Sequence, residues 1–370
     1  MPELRIEDLT KRFKGEAVLD GVSLTVEDGE TLTLFGPSGA GKTVLLRCIA
    51  GAVDPEDGRI LIGGEDMQDV APEHRGIGMA FQNFALFPHM TAFDNIASPL
   101  TAQRRSRDAV REGVERVAKL LKIDHVLSHA PRALSNGQKQ RTALARALAA
   151  SPGLLLLDDP LRNVDAKLRF EMRLELPRLL ADQGATVIYV TQDYKEAMAL
   201  GDRIAVLSDG KIAQVGTPEE IYRRPASIEI ARLFGDPTIN LLDVVPEKDG
   251  AGVFARLSNQ RVPLHGGLEA AVGRDCVLGL RPEALRFSAN EDGIPVMIEA
   301  ETPFNEKTVT LVVTARGREI LISRPAGTPA PASGAAQIAA DATDALLFDR
   351  ATQARIVPDR DGGSTSEAAA

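Results

Sequence analysis

The stretch 36-GPSGAGKT-43 sets three glycines, a lysine and a threonine at the spacing G-x-x-x-x-G-K-[ST], just after an apolar run, 31-TLTLF-35. That order suits a loop that cradles phosphate. Gly36, Gly39 and Gly41, with Pro37, Ser38 and Ala40 between them, let backbone N–H groups converge on phosphate oxygens. Lys42 then reaches the β and γ oxygens, and the Thr43 hydroxyl is placed to ligate Mg2+. A second stretch, 154-LLLLDDP-160, is an apolar run ending in two carboxylates. Asp158 suits the Mg2+ shell, and Asp159 suits a place facing an attacking water. A third, 134-LSNGQKQR-141, is a polar turn opening a helix, a shape that offers N–H groups to an anion and is by itself more often a plain helix cap than a site. In a fourth, 187-VIYVTQDYKEAM-198, an apolar strand carries an amide, Gln192, at its tip.

Such segments work only on a scaffold that gathers strand ends. From residue 3 to about 235, short β-branched or leucine-rich runs alternate with helical patterns, which predicts an α/β unit with a largely parallel sheet covered by helices. The clearest strands are 31-TLTLF-35, 153-GLLLLD-158, 185-ATVIYV-190 and 203-RIAVLS-208. Open sheets of this kind place ligands at the carboxyl ends of their strands. Helical spacing over 104–121 and 137–150 predicts a helical insertion between strands. After 235-GDPTIN-240 the texture changes to short alternating runs, such as 276-CVLGLRP-282 and 308-TVTLVVT-314, punctuated by Gly and Pro, which predicts a small all-β domain. The stretch 325-PAGTPAPASGAA-336 reads as a loop and 359-DRDGGSTSEAAA-370 as a disordered tail.

Composition narrows the partners. With 370 residues, 44% hydrophobic and 26% charged, the chain exceeds one ordinary domain. A net charge of −9 with dispersed Lys and Arg lacks the basic face of a nucleic-acid binder. Two cysteines, Cys48 and Cys276, lie far apart and suggest a reducing compartment. No apolar run approaches the roughly 20 residues of a membrane helix, and the start, MPELRIEDLT, lacks a signal-peptide core. Any membrane role is expected through a partner.

Taken together, the order and spacing of the first three segments resemble the nucleotide-binding subunits of ATP-binding-cassette (ABC) transporters, over nearly the whole chain. The resemblance implies a P-loop NTPase domain at 1–238, with a RecA-like sheet, a helical subdomain at about 85–150, and ATP and Mg2+ as cofactors. It carries the adenine-stacking aromatic onto Phe13. The lid glutamine, also a Mg2+ ligand, falls on Gln82 in 80-AFQNFALFPHMT-91. The signature loop falls on Ser135, Asn136 and Gly137 with Gln138, and a loop facing a partner on 163-NVDA-166. Without that company Phe13 reads as plain core and Gln82 as a solvated amide. The segments 217-TPEEIYRRPASIEIARLFGDPTINLL-242, 279-GLRPEAL-285 and 348-FDRATQARI-356 look like those of maltose-type carbohydrate importer ATPases. That likeness implies an OB-like (TOBE) regulatory domain at 239–358 and a peripheral subunit on the cytoplasmic face of the membrane. Its expected role is to power uptake of a sugar, polyol or glycerol through two transmembrane permease subunits, with a solute-binding protein involved indirectly. Similar barrels serve spermidine, iron and sulfate importers, so a homodimeric slow ATPase of that kind is the alternative, alongside a non-transport regulator. ABC proteins acting on ribosomes or DNA usually carry two cassettes or long coiled-coil insertions, and neither pattern occurs here.

The chain departs from the family pattern at residues tied to hydrolysis. The pattern has glutamate where this chain has Asp159, histidine where it has Gln192, and usually glycine where it has Asn136. Aspartate keeps the charge on a side chain one methylene shorter, and an error near 1 Å in placing a catalytic group costs about 100-fold. Glutamine donates a neutral hydrogen bond but cannot become an imidazolium. The expectation is a chain that binds ATP well, turns it over poorly at its own site, and pairs with a more competent second ABC ATPase subunit as a heterodimer.

Overall fold

The computed structural model describes residues 2–358 apart from 82, 259, 265, 290–292, 332–333 and 342–343, so Gln82 and the expected tail at 359–370 lie outside the described residues. The chain divides into two compact units, Met1–Pro218 and Glu219–Ala370.

In the first unit, β1 (Leu4–Phe13), β2 (Glu16–Val26), β4 (Asp57–Ile62) and β5 (Glu65–Asp66) form an antiparallel sheet in the order β2-β1-β4-β5. The larger sheet runs β10-β9-β3-β8-β7-β6, from β3 (Thr31–Phe35), β6 (Ile77–Ala80), β7 (Leu154–Asp158), β8 (Thr186–Thr191), β9 (Arg203–Ser208) and β10 (Lys211–Gly216). All its pairings are parallel except the β9–β10 hairpin. Six helices complete the unit among the described residues: α1 (Lys42–Ile49), α2 (Ala92–Ala102), α3 (Arg107–Leu120), α4 (Asn136–Ala149), α5 (Ala166–Gln183) and α6 (Tyr194–Leu200).

The apolar runs of β7 and β8 are continuous because both faces of the sheet are covered. Their two-residue alternation deals side chains to two separate cores. Leu154, Leu156, Ile188 and Val190 pack with Leu45, Leu46 and Ile49 of α1 and with the antiparallel sheet. Leu155, Leu157, Val187 and Tyr189 pack with α2–α5. The expected helical insertion is present as α2, α3 and α4, starting somewhat before residue 104.

The second unit is antiparallel throughout its sheets. It contains β11 (Asn240–Val244), β12 (Glu247–Asp249), β13 (Gly252–Leu257), β14 (Gln260–Pro263), β15 (Cys276–Leu280), β16 (Leu285–Ser288), β17 (Ile294–Pro303), β18 (Lys307–Thr314), β19 (Glu319–Pro325), β20 (Ala335–Ala340) and β21 (Leu346–Asp349). The sheets run β11-β15-β21, β12-β13-β14 and β16-β20-β17-β18-β19. The stretch 325–336, read as a loop, gives its first residue to β19 and its last two to β20.

The units part at Pro218, ahead of the 238/239 boundary drawn from composition. Helices α7 (Pro218–Arg223) and α8 (Ile228–Leu233) look in sequence like more of the α/β unit, yet Arg281 anchors them to the β-rich one. Its guanidinium donates to the carbonyls of Phe234 and Tyr222 and lies 3.6 Å from the Tyr222 ring centroid, with only 4% of the residue exposed. A pattern of helical spacing carries no information about such a long-range pin.

Candidate functional site

Parallel pairing puts the carboxyl ends of β3, β7 and β8 on one edge, with Phe35 beside Thr191 and Asp158 beside Val190. The loop 36–41 springs from that edge. At Gly36 a Cβ atom would fall 2.1 Å from the Leu207 carbonyl oxygen, so no side chain fits. Gly41, the residue before α1, has φ 103, and a Cβ there would lie 2.7 Å from the Val18 carbonyl. Glycine is therefore required twice over at that position. The loop leaves the first N–H groups of α1 without a capping side chain, and the helix dipole adds attraction for an anion there.

Lys42 is 5% exposed and turns back over the loop, its Nζ donating to the carbonyls of Gly36 and Pro37 at 2.7 Å each. Burial lowers its pKa, against the opposing pull of Asp159 and Asp158. The Thr43 hydroxyl donates to the two carboxylate oxygens of Asp158 at 3.0 and 3.2 Å. Burial raises the Asp158 pKa, with the Thr43 hydrogen bond acting the other way. Asp159 has φ 50, a left-handed conformation that Asp tolerates better than most residues. Burial also raises its pKa, opposed by Arg162, whose guanidinium is 3.8 Å from the carboxylate.

Ser38, Gly39, Gly41, Lys42 and Thr43 face one cleft of about 220 Å³ together with Asp158, Asp159 and Gln192. Three of the four stretches singled out by chemistry thus meet in one place. Gln192 stands exposed at the end of β8, where the strand tip is braced from below. The buried Glu196 carboxylate accepts from Tyr189 Oη and Thr191 Oγ1, both at 2.9 Å, and the Asp193 N–H donates to Thr191 Oγ1 at 3.0 Å.

Other expected residues lie elsewhere. Ala40 is buried in the core beneath the loop, so its side chain is packing and only its backbone serves the loop. Phe13 ends β1, 45% exposed rather than core, with Lys11 Nζ 5.3 Å from its ring centroid, and it does not line the cleft. Ser135 and Gln138 form a reciprocal capping box at the start of α4 and also lie off the cleft. Asn136 is the first residue of that helix and is exposed, so it needs no left-handed tolerance. The tight position is Gly137, where a Cβ would sit 3.3 Å from the Asn163 carbonyl oxygen.

Sequence reasoning gave no role to Arg162, Glu196 or Gln140. The last had a signal: it falls on the helix face that also carries Leu144, Ala147 and Leu148, an amide where the helical period calls for an apolar side chain. A larger hollow of about 780 Å³, with Cys48 and Arg75 in its wall, is rimmed by Glu7, Asp54, Glu56 and Asp57. That acidic rim repels phosphate, and burial pushes the Cys48 thiol up to about 11, away from thiolate chemistry. For an anion the smaller cleft is the better site.

Oxygen donors at Thr43 and Asp158 match the preference of Mg2+. Among the described residues no cluster of three or more His, Cys, Asp or Glu could hold a metal by itself. The donor set therefore fits a cation shared with bound phosphates.

Residues 19–162 match the ABC transporter family, and residues 235–285 match the MalK OB fold domain. The chain is 38% identical over 357 residues to the sn-glycerol-3-phosphate import ATP-binding protein UgpC of Cereibacter sphaeroides, covering 96% of this chain and 100% of that protein. It is 44% identical over 295 residues to the trehalose/maltose import ATP-binding protein MalK of Thermococcus litoralis, covering 77% of this chain and 79% of the relative. It is 41% identical over 327 residues to the spermidine/putrescine import ATP-binding protein PotA of Marinobacter nauticus, covering 86% and 87%. A solved dimer of the ATP-binding cassette MJ0796, in a post-hydrolysis state with ADP and Pi, superposes with a TM-score of 0.55 at 31% identity, covering 58% of this chain and 98% of that one. With the phosphate loop, the carboxylate pair and the strand tip sharing one cleft, the chain belongs to the ABC transporter ATP-binding proteins, P-loop ATPases that here carry a MalK-type OB-fold domain.

Proposed function

We propose that the chain binds Mg-ATP in the 220 Å³ cleft and couples its binding and hydrolysis, in an assembled transporter, to import of a sugar, polyol or glycerol-like solute. The names of the glycerol-phosphate and trehalose/maltose relatives support that solute class. Lys42 leaves the Gly36 and Pro37 carbonyls to meet phosphate oxygens, and the open N–H groups of the loop and α1 hold the rest. Thr43 and Asp158, with Gln82, would hold Mg2+, which neutralises charge on the phosphates. Asp159 orients the attacking water and Gln192 donates to the terminal phosphate. The α/β unit acts as the ATP-binding domain and the β-rich unit as the regulatory domain. No helix among the described residues is long and apolar enough to cross a membrane. The import ATP-binding relatives support docking on two permease subunits at the cytoplasmic face.

The chain works beside a second, more competent cassette, as the slow half of a heterodimer. The observation that carries this is the placement of Asp159 and Gln192 in the cleft of Lys42, where the family pattern has glutamate and histidine. General-base assistance is worth about 10²–10⁴ in rate, so an imperfect base leaves a site that holds ATP as a clamp. Ser135, Asn136 and Gly137 meanwhile complete the partner's site. The second reading is a homodimeric slow ATPase of a spermidine-type importer, a solute class that the name of the spermidine/putrescine relative supports. The two separate in a reconstituted transporter. The asymmetric reading expects a copurifying second cassette, a tolerated Asp159→Asn, and loss of turnover when the partner's own carboxylate is neutralised. Absence of a second cassette, with Asp159→Asn abolishing turnover, supports the homodimer instead.

A further inference from the structure

Helix α4 starts at the signature turn, and one turn further on it buries an amide that the nucleotide cleft does not touch. Gln140 is 3% exposed; its Nε2 donates to the Asp159 carbonyl at 2.8 Å, and its Oε1 accepts from the Asn163 N–H at 2.9 Å. One side chain thus spans the loop from the cleft carboxylate to the start of 163–166. A neutral amide supplies one donor and one acceptor side by side, and asparagine is a methylene too short to make both bonds from the same helix position. The signature turn meets the same loop again at Gly137, whose missing Cβ leaves room for the Asn163 carbonyl. Asp159 holds φ 50, a conformation that persists only where surroundings enforce it. Its N–H donates to the Val190 carbonyl at 3.0 Å and its own carbonyl accepts from Gln140, so β8 and α4 clamp it from two sides.

We propose that Gln140 is a positioning residue that locks the signature turn, residues 135–137, to the loop 159–166, so that both meet a facing cassette as one rigid edge. The proposal rests on the reading of 135–137 and 163–166 as partner-facing. The edge that completes the facing site is then tied to the carboxylate of this chain's own cleft, and movement at one nucleotide is transmitted to the other.

The test is the ATPase of the reconstituted transporter carrying Gln140→Met, which keeps the volume and removes both bonds. A loss of about 10–100-fold in kcat is expected, the scale of a misplacement near 1 Å. The KM for ATP, and Mg-ATP binding by the isolated chain, should stay within about twofold, a split that loss of folded protein would not produce. Gln140→Leu removes both bonds with a smaller side chain, so a similar fall in kcat is expected; it carries the test if the Met variant does not fold. Parental kcat in both variants overturns the proposal, as does a fall in binding parallel to the fall in kcat. Asn136→Arg, on the exposed signature turn, is the control. If it too turns over like the parent, the partner-facing reading fails and the proposal with it; if it is inactive while the Gln140 variants are unaffected, the proposal alone fails.

Discussion

Gly36 is the position at which a single methyl group meets an obstacle that cannot yield, since the Leu207 carbonyl oxygen is backbone of an interior strand. Gly36→Ala is expected to lower stability by about 1–3 kcal/mol, as overpacking does, with a visible drop in the urea midpoint. Gly39 has φ 86 but nothing near its Cβ position, so Gly39→Ala should cost less. The motif made the need for glycine legible, but not the cause, because Leu207 is far away in sequence. Asp158 and Asp159 show the same division. Their pairing at a strand end was readable, whereas the burial that raises both pKa values was not. Both carboxyls take up protons at higher pH than ordinary aspartates, and a protonated Asp158 is a poor Mg2+ ligand. Mg-dependent ATP binding should therefore weaken on acidification before ordinary aspartates titrate, and Asp158→Asn should weaken binding at neutral pH and flatten that dependence. Equal pH profiles for parent and variant in calorimetric titration would contradict this.

At the scale of elements, the strands of the parallel sheet were legible because burial on both faces leaves nearly uninterrupted apolar runs. Residues 186–191 and 154–158 are examples. The boundary of the second unit was not legible, since α7 and α8 have helical composition and are held by Arg281 from the β-rich unit. A chain ending at Pro218 should therefore unfold cooperatively and bind ATP. One ending near residue 240 should show protease-sensitive helices, because buried Phe234 loses its partners. Equal protease resistance of 219–240 in the longer chain would count against this. The brace under the strand tip gives a further expectation. Burial raises the pKa of Glu196 above its usual 4.5, opposed by bonds from Thr191 and Tyr189. Glu196 thus contributes stability below its unfolded pKa, and this is lost as pH rises through its folded pKa. Glu196→Gln, which can still accept both hydroxyl bonds, should match the parent in acid and become the more stable of the two as pH rises. Unfolding midpoints of the pair measured at acid and mildly alkaline pH check the sign.

For the whole molecule, the fold class could be read from the sequence because local signals agreed: a phosphate loop after a strand, a parallel α/β pattern, then alternating short strands. Assembly could not be read so directly, since the work proposed for the signature turn and the loop at 163–166 is done on another chain. Off-cleft placement of Ser135, Asn136 and Gly137 agrees with that division of labour. The asymmetric pairing rests on Asp159 and Gln192, but it presupposes that this cleft binds nucleotide at all. That central claim is tested most directly by equilibrium titration of the full chain with Mg-ATP, parent beside Lys42→Ala. The account predicts saturable one-site binding for the parent and a loss of at least about tenfold in affinity for the variant, as removal of a charged hydrogen-bonding group costs about 1.5–3 kcal/mol. Unchanged affinity in Lys42→Ala, with the variant folded, would contradict it.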